Sequence, residues 1–398
     1  MVTKILLSTV LFPNRFEINR GVCIKKQAVE LARSDKLTIL VPIPYFPSFF
    51  ANSARHFYAK IPTEDSIAGL PVRYPRFFII PKIFRFLHGP FLFASVFRYY
   101  RQVIKREKPD ILLGFWAFPD GFANVLMAKC FKLPVVIGCR GCDINKFTNP
   151  YIQRKLIGWA LRNCDQVLSV SEALKGEIVN RLNVPPHRVT VIPNGIEEER
   201  FYPQERDKMR EKLGLNKDRQ IALCVARLDP IKGVDVLVRA FAQLEDTAKQ
   251  LVVVGDGTEM RYLTQLVEEL GLSDRVLLVG SKPYTEIPQW MNAADLLVLP
   301  SITEGWPNTL MEAFSCGKPV VASCVGGVPE IINSPALGIM AAPGDVDDLA
   351  RAVDEALTRA WDADVIRARV RGRSWAVVAD ELRNELHTVL QRREVSQN

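Results

Sequence analysis

Short apolar runs rich in Val, Ile and Leu alternate along the whole chain with stretches whose apolar positions recur every three or four residues. The runs are too short for helices and read as buried strands. The periodic stretches read as helices with one apolar face. In the first half the pattern predicts strands at 5–9, 37–41, 110–114, 134–138, 166–170 and 189–192, with helices at 20–33, 91–107, 121–131, 151–163 and 172–182. A second series follows, with strands at 220–225, 250–254, 275–279, 295–299 and 319–323 and helices at 233–244, 259–270, 286–291, 308–315 and 346–358. Pro193-Asn194-Gly195 and the charged residues up to Pro203 punctuate the two series as a turn and linker. Strand and helix in alternation imply parallel sheets. The expected fold is α/β, with two tandem Rossmann-like doubly wound domains, 1–193 and 194–373, facing across a cleft, and a helical tail at 374–398. Ligands of such sheets bind outside the carboxyl ends of the strands.

The 398 residues suffice for two domains, and 48% apolar with 24% charged residues is ordinary for a globular protein. No apolar run approaches the ~18–20 residues of a spanning helix. The first eleven residues have a short apolar core but lack a small-residue cleavage site and run into Pro13, so they read as a first strand rather than a signal peptide. Eight cysteines are scattered; Cys139 and Cys142 form a CxxC, but no second ligand pair at similar spacing supports a zinc site, and free thiols are expected.

Charge changes the picture more. Residues 1–190 hold 28 Lys and Arg against 12 Asp and Glu, and the remainder holds 24 against 32. A basic half suits an anionic partner. Within it, Arg73–Lys108 carries nine basic residues and one acid, interleaved with aromatics such as Phe77, Phe78, Phe84 and Phe91. Arg76, Lys82, Arg85 and His88 are its candidate acceptor-side or membrane-side groups. Basic and aromatic residues together suit an anionic membrane surface or nucleic acid, although part of the apolar content must be core.

Candidate chemistry gathers in five places. Glu304 lies on a turn after an apolar run, and Glu312 lies in the helix that follows, with Gly305, Trp306, Pro307, Asn308 and Thr309 between them. Asn308 or Thr309 can cap that helix, and its N-terminus suits a phosphate. The spacing of the two acids alone is a weak signal, since any surface turn and helix can carry it. Arg227 and Lys232 sit on a loop that enters a helix at Gly233, as two cations beside a diphosphate would, or as a solvated basic loop. Gly255 opens a Gly-Asp-Gly turn after a strand. Gly21 ends the first loop, and a plain helix-start turn explains it as well as a ligand role. Arg140, in Cys139-Arg140-Gly141-Cys142-Asp143, stays protonated and cannot be a general base. It can stabilise a leaving diphosphate, hold a sugar carboxylate, or simply pair with Asp143.

These segments together resemble the donor-site signature of family 4 glycosyltransferases (glycosyl transferases group 1), the retaining enzymes of GT-B fold. The resemblance covers almost the whole chain and is strongest from Val189 to Gly327. It implies that Arg227 and Lys232 neutralise the diphosphate of an NDP-sugar, expected to be a UDP-sugar. Glu312 would hold the ribose hydroxyls and Glu304 the donor sugar, with backbone from Gly305 to Asn308 helping and Gly255 beside the nucleotide. Arg140 stands where the family often has His, Cys142 where it has Ser, and Gly21 is single where a pair is common. The resemblance further implies a metal-independent reaction without a cofactor, attack on the same face as the leaving phosphate, and a saccharide or lipid-linked acceptor on the first domain. It also implies a terminal helix, from Ser374-Trp375 to about Arg392, that crosses back to that domain. The expected setting is cell-envelope polysaccharide synthesis, in the cytoplasm or peripherally at the inner face of an anionic membrane, with no nucleic acid partner. A nucleotide-sugar epimerase of GT-B fold and a catalytically weak nucleotide-sugar-binding protein are the alternative readings.

Overall fold

The computed structural model describes residues 2–45, 56–79, 84–146 and 148–397. The chain packs into two compact units, one of residues 1–194 with 375–398 and one of residues 195–374. Strands of the first unit are β1 (Lys4–Ser8), β2 (Lys36–Leu40), β3 (Ile43–Tyr45), β4 (Glu64–Ile67), β5 (Leu70–Arg73), β6 (Arg76–Phe78), β7 (Ile111–Phe115), β8 (Val135–Gly138), β9 (Gln166–Ser169) and β10 (Val189–Val191). Those of the second are β11 (Gln220–Val225), β12 (Lys249–Val254), β13 (Val276–Leu278), β14 (Leu296–Leu299), β15 (Val320–Ser323) and β16 (Gly338–Ala341).

The first unit has an eight-stranded sheet in the order β10-β9-β8-β7-β1-β2-β5-β4, and β3 pairs with β6 beside it. Among the described residues, only the β4–β5 hairpin is antiparallel within the large sheet. Its two-residue loop, Ala68-Gly69, has positive φ at both positions, the geometry that matches strand twist. The second unit has a six-stranded parallel sheet, β13-β12-β11-β14-β15-β16. Its strands are apolar on both faces because each face is covered. Ile221, Leu223, Val252 and Val254 pack into one core, and Ala222, Cys224, Leu251 and Val253 pack into another, as the pleat requires.

Several expected boundaries move. The first helix runs Val22–Leu31, not 20–33, because Gly21 at φ 62° breaks it at its start. The helix expected at 91–107 begins three residues earlier, at His88, with Pro90 in its first turn, where a missing N–H costs nothing. The helix expected at 233–244 is Val234–Ala242. The hairpin β4–β5, strand β16 and the helix Arg206–Leu213 were not expected from the pattern. The tail helix, Trp375–Gln397, packs within the first unit. There Thr3 Oγ1 meets His387 Nε2 at 2.9 Å, and Arg383 and Arg393 pair with Asp35 and Asp165 at 2.9 and 2.6 Å.

Candidate functional site

In the second unit, loops following five neighbouring strands converge beyond the carboxyl edge of the sheet. The loop after β11 carries Arg227 and Lys232, and the turn after β14 carries Glu304. Ile302 N donates to Ile231 O at 2.9 Å, which ties the two loops together. Lys232 Nζ then reaches Glu304 Oε1 at 2.6 Å, and Ser301 Oγ donates to the same oxygen at 2.7 Å. The Glu304 side chain is only 10% exposed, so its charge needs this support. Arg227 differs from its expected partner: its guanidinium is 70% exposed and pairs with Asp229 of its own loop.

Glu312 is buried within the helix Asn308–Ser315. Tyr284, from the loop after β13, donates its hydroxyl to Glu312 Oε1 at 2.9 Å. The ring of Tyr284 lies 5.5 Å from that of Phe201 and under the Arg200 guanidinium at 5.1 Å, which fixes its direction. The helix start corrects one expectation: neither Asn308 nor Thr309 caps it. Pro307 holds the cap position in extended geometry, no side chain caps the helix, and Asn308 is its first residue. Gly305 and Pro307 are buried beneath this turn. The Trp306 ring packs against the core, and its Nε1 is buried without a hydrogen-bond partner among the described residues.

Glycines let these loops touch. A Cβ on Gly255 would stand 1.8 Å from Ala226 O, so the loop after β12 can lie against the loop after β11 only without a side chain there. Gly326, after β15, was not singled out in the sequence, and a Cβ there would stand 1.9 Å from Glu304 O. Ser301 and Tyr284 were missed too. Ser301 sits three residues before Glu304, a spacing that a turn brings within reach; nothing local marks Tyr284.

In the first unit, Arg140 lies two residues beyond the carboxyl end of β8. Its terminal nitrogens donate to Asn194 Oδ1 at 2.9 Å and to Gln27 Oε1 at 2.8 Å, and its guanidinium carbon sits 4.4 Å from the centroid of the Phe115 ring. Nε is buried without a partner among the described residues, and burial lowers the pKa of the group. The expected alternative, a side-chain pair with Asp143, is not what forms. Asp143 instead accepts from the backbone N–H of Arg140, Gly141 and Ala117, each at 2.9 Å, and burial raises its pKa. Asp120, equally buried, accepts from Val10 N at 2.8 Å, and its pKa is raised well above the ordinary carboxylate range, again by burial. Together the two carboxyls anchor the loops after β1, β7 and β8. Asn194, expected to be part of a mainly structural turn, therefore also positions a candidate site residue. Gln27 was missed; its signal is a polar residue on the face that buries Ile24, Ala28 and Leu31.

Gly21 starts its helix, and a Cβ there would stand 2.4 Å from Leu11 O. Arg76 is committed locally: NH1 donates to Tyr58 O at 2.7 Å and NH2 donates to Ile61 O. Arg85 is exposed in a short turn of helix before His88, and Lys82 lies outside the described residues. Of the basic segment's aromatics, Phe77 and Tyr100 are buried, whereas Phe78 and Phe84 are half exposed. None of the eight cysteines is in a disulfide, and no group of three or more His, Cys, Asp or Glu among the described residues is placed to hold a metal ion. No described helix is long and apolar enough to cross a membrane.

Residues 205–371 match the family model for glycosyl transferases group 1, and residues 48–200 match that for glycosyltransferase family 4. TuaC of Bacillus subtilis (strain 168), named as a teichuronic acid biosynthesis glycosyltransferase, is 29% identical over 344 residues, covering 83% of each chain. The N-acetyl-alpha-D-glucosaminyl L-malate synthase of Bacillus anthracis is 28% identical over 269 residues, 67% of this chain and 69% of that one. The crystal structure of Anabaena Alr3699/HepE in complex with UDP-glucose superposes with a TM-score of 0.74 at 22% identity, over 97% of this chain and 99% of that one. The two matched segments adjoin and between them take in the converging loops of the second sheet and the Arg140 region of the first, so the chain belongs to the family 4 glycosyltransferases of GT-B type.

Proposed function

We propose that this glycosyltransferase moves a sugar from a UDP-sugar to a saccharide or lipid-linked acceptor in cell-envelope polysaccharide synthesis, with retention of anomeric configuration and without a metal ion. The observation that carries the reading is the Lys232–Glu304 pair at 2.6 Å at the convergence of the loops after β11 and β14. A cation beside a largely buried carboxylate offers both polarities a nucleotide-sugar needs. On arrival of the donor, Lys232 and Arg227 turn to the diphosphate and Glu304 orients the sugar hydroxyls. Glu312, held by Tyr284, takes the ribose hydroxyls. The bond from the anomeric carbon to the diphosphate oxygen breaks, the acceptor oxygen bonds on the same face, and its proton passes to the leaving phosphate. The two cations stabilise the charge that develops there.

The UDP-glucose complex of the similar fold supports a UDP-sugar, and the name of the Bacillus subtilis relative supports an envelope polymer. The basic first half and the exposed Phe78, Phe84 and Arg85 support peripheral contact with an anionic membrane. The test is thermal stability with UDP-, GDP- and ADP-sugars, without metal and then with Mg²⁺. A UDP-sugar at a hundredfold excess over its dissociation constant is expected to stabilise the protein by about 2.7 kcal/mol without metal. Stabilisation that requires Mg²⁺ would overturn metal independence, and no response to any nucleotide would overturn the donor site. The anomeric configuration of the product, read by proton NMR, tests retention.

A further inference from the structure

Arg140 is a partly buried cation without a carboxylate in ion-pair reach among the described residues. Its hydrogen-bond acceptors are two neutral amide oxygens, those of Gln27 and Asn194. The nearest acid in sequence, Asp143, has its oxygens turned to three backbone N–H groups instead. Taking a cation out of water without a counter-charge is costly, and folds normally compensate it. This chain does so elsewhere: Arg210, only 1% exposed, has Asp295 at 2.7 Å, and Arg383 has Asp35 at 2.9 Å. Arg76, by contrast, rests among the described residues on the carbonyls of Tyr58 and Ile61 alone, so neutral acceptors by themselves do not mark a site.

Three features give this charge a direction. It stands outside the carboxyl end of a parallel sheet, where ligands of such sheets bind. Phe115 backs the guanidinium, while Gln27 and Asn194 hold both terminal nitrogens, so the fork is fixed before a ligand arrives. Each terminal nitrogen uses one of its two N–H bonds on these amides and retains another, and a planar fork matches the two oxygens of a carboxylate or phosphate. The small cavity that Arg140 lines with Gln27 and Phe115 has room for about 10 Å³, no more than a water, so that cavity itself does not hold the ligand group.

We propose that Arg140 receives an oxyanion, carboxylate or phosphate, carried by the acceptor, so that this glycosyltransferase selects an acidic acceptor over a neutral one. The proposal rests on the reading that the acceptor binds the first unit. Gln27 and Asn194 are then positioning residues, and the amides must stay neutral for the charge to remain available.

The experiment measures binding of D-glucose, D-glucuronate and D-glucose 6-phosphate to the full chain by calorimetry, with and without UDP. At least one acidic probe is expected to bind about tenfold or more tighter than glucose, the scale of one charge-assisted contact. Preference for glucuronate alone points to a carboxylate acceptor, for the phosphate alone to a phosphorylated one, and for both to recognition of charge. In Arg140→Gln the advantage is expected to fall to about twofold or less. Gln27→Glu keeps Arg140 but supplies an internal counter-charge, so it should lose the same preference while gaining thermal stability. This second variant decides the matter if Arg140→Gln does not fold. Equal or absent binding of the acidic probes to the wild type overturns the proposal, as does a preference that survives both substitutions. A preference abolished by saturating UDP assigns Arg140 to the nucleotide and also overturns it. If UDP itself does not bind while the acidic preference holds, the donor reading falls and the anion site stands.

Discussion

At the carboxyl edge of the second sheet Lys232 meets Glu304 at 2.6 Å, whereas at the carboxyl edge of the first Arg140 meets only the amides of Gln27 and Asn194. In the second unit the charges are matched before any ligand arrives, and loops after neighbouring strands are locked by backbone contacts at Gly255 and Gly326. In the first unit the loops are locked from beneath, by Asp120 and Asp143 accepting from backbone N–H groups. Paired charges can re-sort around a ligand that carries both polarities. A cation held by neutral amides on a fixed frame can instead receive an anion. The difference is therefore one of what each unit demands of its ligand.

The comparison breaks most severely at Arg210, the buried cation that the second unit fully satisfies. Its guanidinium bonds Ala293 O, Lys217 O, Arg219 O and Asp295. Arg210→Ala leaves those acceptors without a donor and is expected to destabilise the fold by about 3–5 kcal/mol in urea unfolding. A change below about 1 kcal/mol would show that this cation is as dispensable to stability as an exposed one. Next comes Glu304→Ala, expected, on the proposed donor-orienting role, to lower kcat about 10²–10³-fold and to free Lys232. A variant with unchanged kcat would remove Glu304 from the site.

The first unit is sharpened through pH. Burial raises the pKa of Asp120, so the folded state holds its proton more tightly than the unfolded chain does. Its contribution is therefore whole below the ordinary carboxylate value, about 3.9, and is lost as pH rises through the raised folded value. Between those two values each pH step of one takes away about 1.4 kcal/mol. Asp143 acts with the same sign. Asp120→Asn keeps an acceptor for Val10 N and removes the titration, so its stability should fall less than that of the wild type as pH is raised from about 4. Parallel urea-midpoint curves for the two proteins would place the charge of Asp120 outside the balance.

Much of the second unit's candidate site was legible as a set of loop positions because its signals are local. Arg227, Lys232, Glu304 and Glu312 each lie within a few residues of a strand end or helix start marked by Gly or Pro. Even so, the sequence placed a cap at Asn308 or Thr309, whereas Pro307 holds the cap position and no side chain caps the helix. The helix Arg206–Leu213 escaped the pattern because it is polar almost throughout and the residue it buries is an arginine. Asn194 looked like linker because Pro-Asn-Gly is turn chemistry, and nothing nearby announced that its side chain would meet a residue 54 positions away.

Periodicity and punctuation determined the alternation of strands and helices, the mainly parallel character of the two large sheets and the loops that carry candidate chemistry, since each depends on neighbours along the chain. Strand order is not written in periodicity. Only the tertiary structure decided that β7 and β8 stand side by side, that Gln27 reaches Arg140 across 113 positions, and that Lys232 finds Glu304 across 72. Those meetings settle which charges are answered within the protein and which are left for a ligand, because the cost of a buried charge depends on what surrounds it in space.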